Sequence, residues 1–255
     1  MPVADQKVRK SLNSIQVSMK EQRVDKGYAT VVDLVFCIDG TGSMQNALDA
    51  VKARALTMYH DIIDGLALKG RIVKKLRVKV VVFRDLFVDA NAYEESDFFV
   101  LTGEEGDDAV AFRDYISGIR AMGGGDEPEH ALEALHRIFR MDFTPSGHGV
   151  KARHIIVMMT DASAHRLVAD PAELLPEERA VYPSDMPCDM ATLHAEWEAM
   201  DHTARRLIIF APNAYPWNTL GTWNEAPHTP SNAGAGISGA LFDEVLTAIT
   251  GSVVV

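Results

Sequence analysis

The sequence predicts an α/β fold: a doubly wound, mainly parallel sheet flanked by helices. Three observations predict it. Four runs rich in Val, Ile and Leu, at 30–38, 76–83, 154–159 and 207–210, are near-continuously apolar, as strands buried on both faces must be. Amphipathic helical segments separate them, the alternation expected of parallel strands joined by crossovers. The first three runs each stop at a polar turn, Asp39-Gly40, Arg84-Asp85 and Thr160-Asp161.

Taken in order, residues 1–27 are polar and mixed in charge, with a weak apolar rhythm at Val8, Leu12, Ile15, Val17 and Met19, and read as a loose arm or a docking helix. Residues 28–255 then read as one domain. TVVDLVFCI (30–38) is the first strand. A helix over about 43–66 follows, capped by Ser43, with Ala47, Val51, Leu56, Ile62 and Ile63 on its apolar face. LRVKVVVF (76–83) is the second long strand, and FFVL (98–101) a short antiparallel strand at an edge. Helices are expected at about 107–120 and 127–140, the latter with Pro128 in its first turn, where the missing N–H costs little. Glu127 and Glu129 would then be first-turn acids facing the positive end of the helix. HIIVMM (154–159) is the next buried strand. The stretch 162–188, with prolines at 171, 176, 183 and 187, reads as a long loop or lid. A helix over about 189–204, the strand LIIF (207–210), an irregular segment 212–238 and a last helix over about 239–249 complete the chain, with 252–255 a strand or a frayed end.

A chain of 255 residues with 47% hydrophobic and 24% charged residues has ample material for a core. A net charge of −11 excludes a general grip on nucleic-acid phosphates and suits a protein that concentrates cations. Two cysteines are too few for a disulfide scaffold; Cys37, inside an apolar run, reads as a buried small hydrophobe. The N-terminus lacks the apolar core of a signal peptide, and no run approaches the roughly 20 apolar residues of a membrane span, so the cytoplasm is the simplest compartment.

In open parallel sheets ligands bind outside the carboxyl ends of the strands. There this chain gathers Asp39-Gly40-Thr41-Gly42-Ser43-Met44, Arg84-Asp85, Asp161-Ala162-Ser163-Ala164-His165 and the loop Gly123-Gly124-Gly125-Asp126-Glu127-Pro128-Glu129. Hydroxyl and carboxylate oxygens, without a cluster of His or Cys, select a hard divalent cation: Mg²⁺ first, Mn²⁺ or Ca²⁺ next. Asp39, Thr41 and Ser43 alternate, so their side chains can point to one side of an extended turn. The expected ligands are Asp39, Thr41, Ser43, Asp126 and Asp161. Singly, Asp39, Ser43 and Asp161 read equally well as helix caps; together with Asp126 they read as a site. Asp85 stands next to that site, or pairs with Arg84, or caps the strand end. His165 lines the rim or is solvated or structurally bonded. Trp197, Trp217 and Trp223 read as packing.

These motifs resemble the metal-ion-dependent adhesion site of von Willebrand factor A domains. The TGSM form after the first strand, the GGGDxPE form in the loop and the TDA after the later strand are those of bacterial or intracellular stand-alone members. The resemblance covers roughly residues 30–250. It implies a Rossmann-like fold, a divalent metal, and a protein partner whose acidic side chain completes the metal's coordination. Asp126 stands where the family more commonly has Thr, adding negative charge. Relatives of this kind suggest an adaptor in a bacterial stress or kinase/phosphatase-linked system.

Two other functions compete. A haloacid-dehalogenase phosphatase also ends its first strand in Asp-Gly-Thr, present here as Asp39-Gly40-Thr41, but Cys37 stands where its nucleophilic carboxylate belongs. A metal-stabilised structural protein with no ligand at the rim is the other. Gly40-Thr41-Gly42-Ser43 lacks the following Gly-Lys-Ser/Thr of a phosphate-binding loop. The sequence therefore favours a non-catalytic protein-binding module.

Overall fold

The computed structural model describes residues 29–54, 57–68, 73–124, 127–231 and 239–254. The expected arm at 1–27 and the ligand Asp126 lie outside these residues. The strands are β1 (Ala29–Asp39), β2 (Val73–Phe83), β3 (Tyr93–Glu95), β4 (Phe99–Leu101), β5 (Val150–Met159), β6 (Arg205–Pro212) and β7 (His228–Ser231). They form one seven-stranded sheet in the order β3-β2-β1-β5-β6-β7, with β4 also on β2. β2, β1, β5, β6 and β7 are parallel, and the short β3 and β4 run antiparallel along β2. The α/β architecture is the expected one. Because the chain winds from β1 toward β2 and later from β5 toward β6, its direction reverses at β1, where a doubly wound sheet opens its crevice.

Strand alternation sorts β1 between two cores. Val32, Leu34, Phe36 and Ile38 face a layer made by the helices Gln45–Arg54, Met58–Leu68, Ala109–Gly118 and Gly239–Val254. Val35 and Cys37 face the opposite layer, where Ala131–Phe139, Met190–Ala199 and Trp217–Leu220 contribute Leu135, Trp197 and Trp217. Cys37, Trp197 and Trp217 are fully buried, as packing residues should be. Both faces of the sheet are thus dry, which is why its strands lack polar alternation.

The structure departs from the sequence expectations in several places. The helix at 43–66 is instead a 3₁₀ turn, Gly42–Met44, followed by Gln45–Arg54 and Met58–Leu68. The N–H of Thr57 returns to the carbonyl of Arg54 at 3.0 Å, closing the first helix before the second begins. Ser43 caps no helix; it lies within the 3₁₀ turn. The helix at 127–140 starts only at Ala131, leaving Glu127, Pro128 and Glu129 outside it. Glu129 there pairs its backbone with the segment after β5: its N–H donates to Ser163 O, and the N–H of His165 donates back to Glu129 O. A tertiary ladder has won over helix propensity, and the first-turn acid is Glu133 instead.

The proline-rich stretch holds a 3₁₀ turn, Pro171–Glu173, and a short helix, Pro176–Val181, clamped by Arg179 donating to the carbonyls of Pro171, Ala172 and Leu174. The segment expected to be irregular contains Trp217–Leu220 and the edge strand β7. The C-terminal tail continues as helix through Val254, because Val245, Ile249 and Val253 bury at helical spacing. Among the described residues no helix is long and apolar enough to cross a membrane.

Candidate metal centre

β1 delivers Asp39 to the sheet's carboxyl edge with its side chain fully buried. Both carboxylate oxygens are engaged. Oδ1 accepts the Thr41 N–H at 2.9 Å and the Thr41 hydroxyl at 2.6 Å; Oδ2 accepts the Thr160 hydroxyl at 2.6 Å. Thr160, just past β5, accepts in turn from the N–H of Ala162 at 3.0 Å. One step along, Ser43 Oγ donates to Asp161 Oδ1 at 2.9 Å and lies 3.3 Å from Thr41 Oγ1. The structure therefore brings together Asp39, Thr41, Ser43 and Asp161 as two hydroxyl–carboxylate pairs whose hydroxyl oxygens, each with its proton already donated, meet at 3.3 Å.

Glycines permit this closeness. A Cβ on Gly40 would stand 2.4 Å from Val82 Cγ1 and 2.9 Å from the Arg84 guanidinium. Gly124 has φ +67°, and a Cβ there would come within 2.8 Å of Thr41 Cβ. The glycine-rich loop thus lies directly on the Asp39 turn, with Gly42 N–H donating to Gly123 O at 3.3 Å.

Burial raises the proton affinity of Asp39. Hydrogen bonds from Thr160 and Thr41 oppose the shift, and the neighbouring charge of Asp161 adds to it. Two carboxylates pressed together out of water are an arrangement that a cation compensates.

A second cluster sits at the same edge. Arg84, almost fully buried, does not pair with Asp85. Its guanidinium donates to the carbonyls of Gly40, Asn91 and Arg120 and to Glu94. Asp85 turns instead to Phe87, whose N–H donates to Oδ1 at 2.6 Å, and to two imidazoles. His130 Nδ1 lies 3.3 Å from Asp85 Oδ1, and His165 Nε2 lies 3.0 Å from Oδ2. The imidazoles pack together with centroids 4.3 Å apart, and Phe87 meets His130 edge-on at 4.4 Å. His130 is pushed down to about 4, by burial first and by His165 second, with Asp85 opposing. One ligand atom from each of Asp85, His130 and His165 can be chosen so that all lie within 4.8 Å of one another, a spacing that could hold a metal ion.

Beneath His130, Glu133 is buried, with Oε1 accepting from the Tyr182 hydroxyl at 3.1 Å and Oε2 without a hydrogen-bond partner. Burial raises its carboxyl to about 7, with a smaller push from Asp85.

The sequence expectations left His165 either lining the rim or solvated or structurally bonded, and missed His130 altogether. The available signal was spacing: His130 follows Asp126, and His165 follows Asp161, by four residues each. A histidine beside a helix start otherwise carries no periodic signature.

No known family profile matches the chain. It is 25% identical over 167 residues to the alpha-protein kinase vwkA of Dictyostelium discoideum, a match covering 63% of this chain and 22% of the kinase. Its fold is similar to that of the pilus adhesin SpaC of Lactobacillus rhamnosus GG, with TM-score 0.53 and 13% identity over 88% of this chain. The chain spans only 31% of that adhesin. A structure described as von Willebrand factor type A from Catenulispora acidiphila aligns with TM-score 0.47 and 15% identity, covering 87% of this chain and 42% of that one.

Proposed function

We propose that the chain is a divalent-metal-dependent protein-binding module of the von Willebrand factor A type. Asp39, Thr41, Ser43 and Asp161, with Asp126 from the adjoining loop, would hold the ion. The observation that carries this proposal is the meeting, at 3.3 Å, of the Thr41 hydroxyl that donates to Asp39 and the Ser43 hydroxyl that donates to Asp161. It puts donors from two distant loops at the mouth of the crevice. The donor set fits a hard cation, because every one of its side-chain donors is a hydroxyl or carboxylate oxygen and two acids share a buried corner. Mg²⁺ is the favoured ion, with Mn²⁺ or Ca²⁺ as substitutes. Bound there, the ion would supply a coordination position for an acidic side chain of a protein partner. The chain's own residues fix the acids and exclude water from Asp39.

We take the module to be non-catalytic. Cys37, where the phosphatase alternative needs a carboxylate, is fully buried against the opposite core, and burial pushes its thiol well up. The likeness to an alpha-protein kinase favours an adaptor role in a kinase-linked setting, and the bacterial stress role and cytoplasmic location are part of the same proposal. Capture of partners from a lysate with Mg²⁺, with chelator, and with Asp161→Ala tests it. Partners should appear only with Mg²⁺ and the intact site; an identical set in all three arms overturns the proposal. Phosphate release from generic phosphoesters, lost in Asp39→Ala, would overturn the non-catalytic assignment.

A further inference from the structure

We infer that Asp85, His130 and His165 form a second cation site, built for a late first-row transition ion of the zinc class rather than for Mg²⁺. The three residues come from separate segments: the turn after β2, the residue before the helix Ala131–Phe139, and the loop after β5. Nothing in their local sequence forces them together, yet their ligand atoms converge within 4.8 Å.

Two backbone N–H groups donate into the cluster and fix its side chains. The Leu86 N–H donates to His130 Nδ1 at 3.1 Å, so that nitrogen is an acceptor and the imidazole neutral. The Phe87 N–H donates to Asp85 Oδ1 at 2.6 Å. His130 Nδ1 and Asp85 Oδ1 face each other at 3.3 Å. The single lone pair of Nδ1 is given to the Leu86 N–H, so an ion that took His130 through Nδ1 would displace that hydrogen bond.

Donor chemistry sets the class. Two imidazoles and one carboxylate suit Zn²⁺, Co²⁺ or Fe²⁺, whereas Mg²⁺ prefers oxygen and retains its waters. Asp85 and His130 are buried, and Phe87 and Tyr182 wall the His130 ring, so these two ligands are held before any ion arrives. The His165 side chain keeps 30% of its surface in solvent, which gives the ion a way in. Three protein ligands leave at least one position for water or a partner's group. This site uses none of the rim residues Asp39, Thr41, Ser43 or Asp161, and stands or falls separately from them.

The test loads the metal-stripped full chain with Co²⁺ in excess Mg²⁺ and follows visible absorption. One equivalent should bind, giving ligand-field bands that Zn²⁺ abolishes. His165→Ala and His130→Gln should each weaken Co²⁺ binding at least tenfold, while Asp161→Ala leaves it unchanged. Equal binding by wild type and both histidine variants, or loss of binding only in Asp161→Ala, would overturn the inference. Should a histidine variant fail to fold by circular dichroism, pulsed electron paramagnetic resonance of the Cu²⁺-loaded wild type decides. Two coupled imidazole nitrogens are expected, and fewer than two refutes the site.

Discussion

The Ser43 hydroxyl donates to Asp161 Oδ1 at 2.9 Å across 118 positions of sequence, tying the loop after β1 to the loop after β5. That bond exists only in the folded chain, so any cation using these oxygens binds the native state and stabilises it by mass action. At 100 times its dissociation constant, Mg²⁺ should add roughly 2.7 kcal/mol, or about 5–10 °C in Tm for a domain of this size. Asp161→Ala should remove the Mg²⁺-induced shift while the protein stays folded. Thermal melts with and without Mg²⁺ check this, and equal shifts in variant and wild type refute the rim site.

Gly124 should be intolerant of a methyl group. Its φ of +67° and the 2.8 Å approach to Thr41 mean that Gly124→Ala must both strain the backbone and push Thr41 off Asp39. The backbone alone costs about 1–2 kcal/mol. We expect a fall in Tm together with a weakened Mg²⁺ response, read in the same melts. Gly118→Ala, with open space around its Cβ, is the control and should leave the response unchanged.

Arg84 staples the site from below. It is 1% exposed and donates to carbonyls of three segments, including Gly40 beside Asp39. Arg84→Lys keeps the charge but not the planar fork, leaving buried carbonyls unpaired, each worth about 1–3 kcal/mol. A loss of roughly 2–4 kcal/mol in urea denaturation is expected. A loss below about 0.5 kcal/mol, the size of an ordinary surface substitution, would show that the staple is dispensable.

Much of this arrangement was legible in the residues themselves. TVVDLVFCI, LRVKVVVF, HIIVMM and LIIF carry their strand character locally, and the strand-end rule then placed Asp39 and Asp161 on one edge. What escaped was decided by distant contacts. Tyr93–Glu95 is too short and too polar to announce a strand, and gains its conformation from pairing with Val81–Phe83. The helix start moved from 127 to Ala131 because the backbone of Glu129 found the Ser163–His165 segment. His130 offered only its four-residue offset from Asp126 as a signal, and the contact that makes it a site residue, with Asp85, lies 45 positions away.

Glu133 should make stability depend on pH in a definite direction. Its carboxyl titrates near 7 in the folded chain against 4.5 for an ordinary glutamate, because burial penalises the charged form. A raised value means that the native state binds the proton more tightly than the unfolded chain does. The stabilisation is then fully present below about 4.5 and is lost as the pH rises toward 7. The loss amounts to about 3 kcal/mol, since each pH unit separating the folded and unfolded titrations is worth about 1.36 kcal/mol. Glu133→Gln keeps an acceptor for the Tyr182 hydroxyl but carries no charge, so it should be more stable than wild type at pH 8 and lose that advantage by pH 5. The amide's own unpaired N–H makes the gain at pH 8 smaller than the full value of about 3 kcal/mol. Urea denaturation of both proteins from pH 5 to 8 measures the gap, and a gap that is constant across that range, or widest at pH 5, would show that Glu133 is charged throughout.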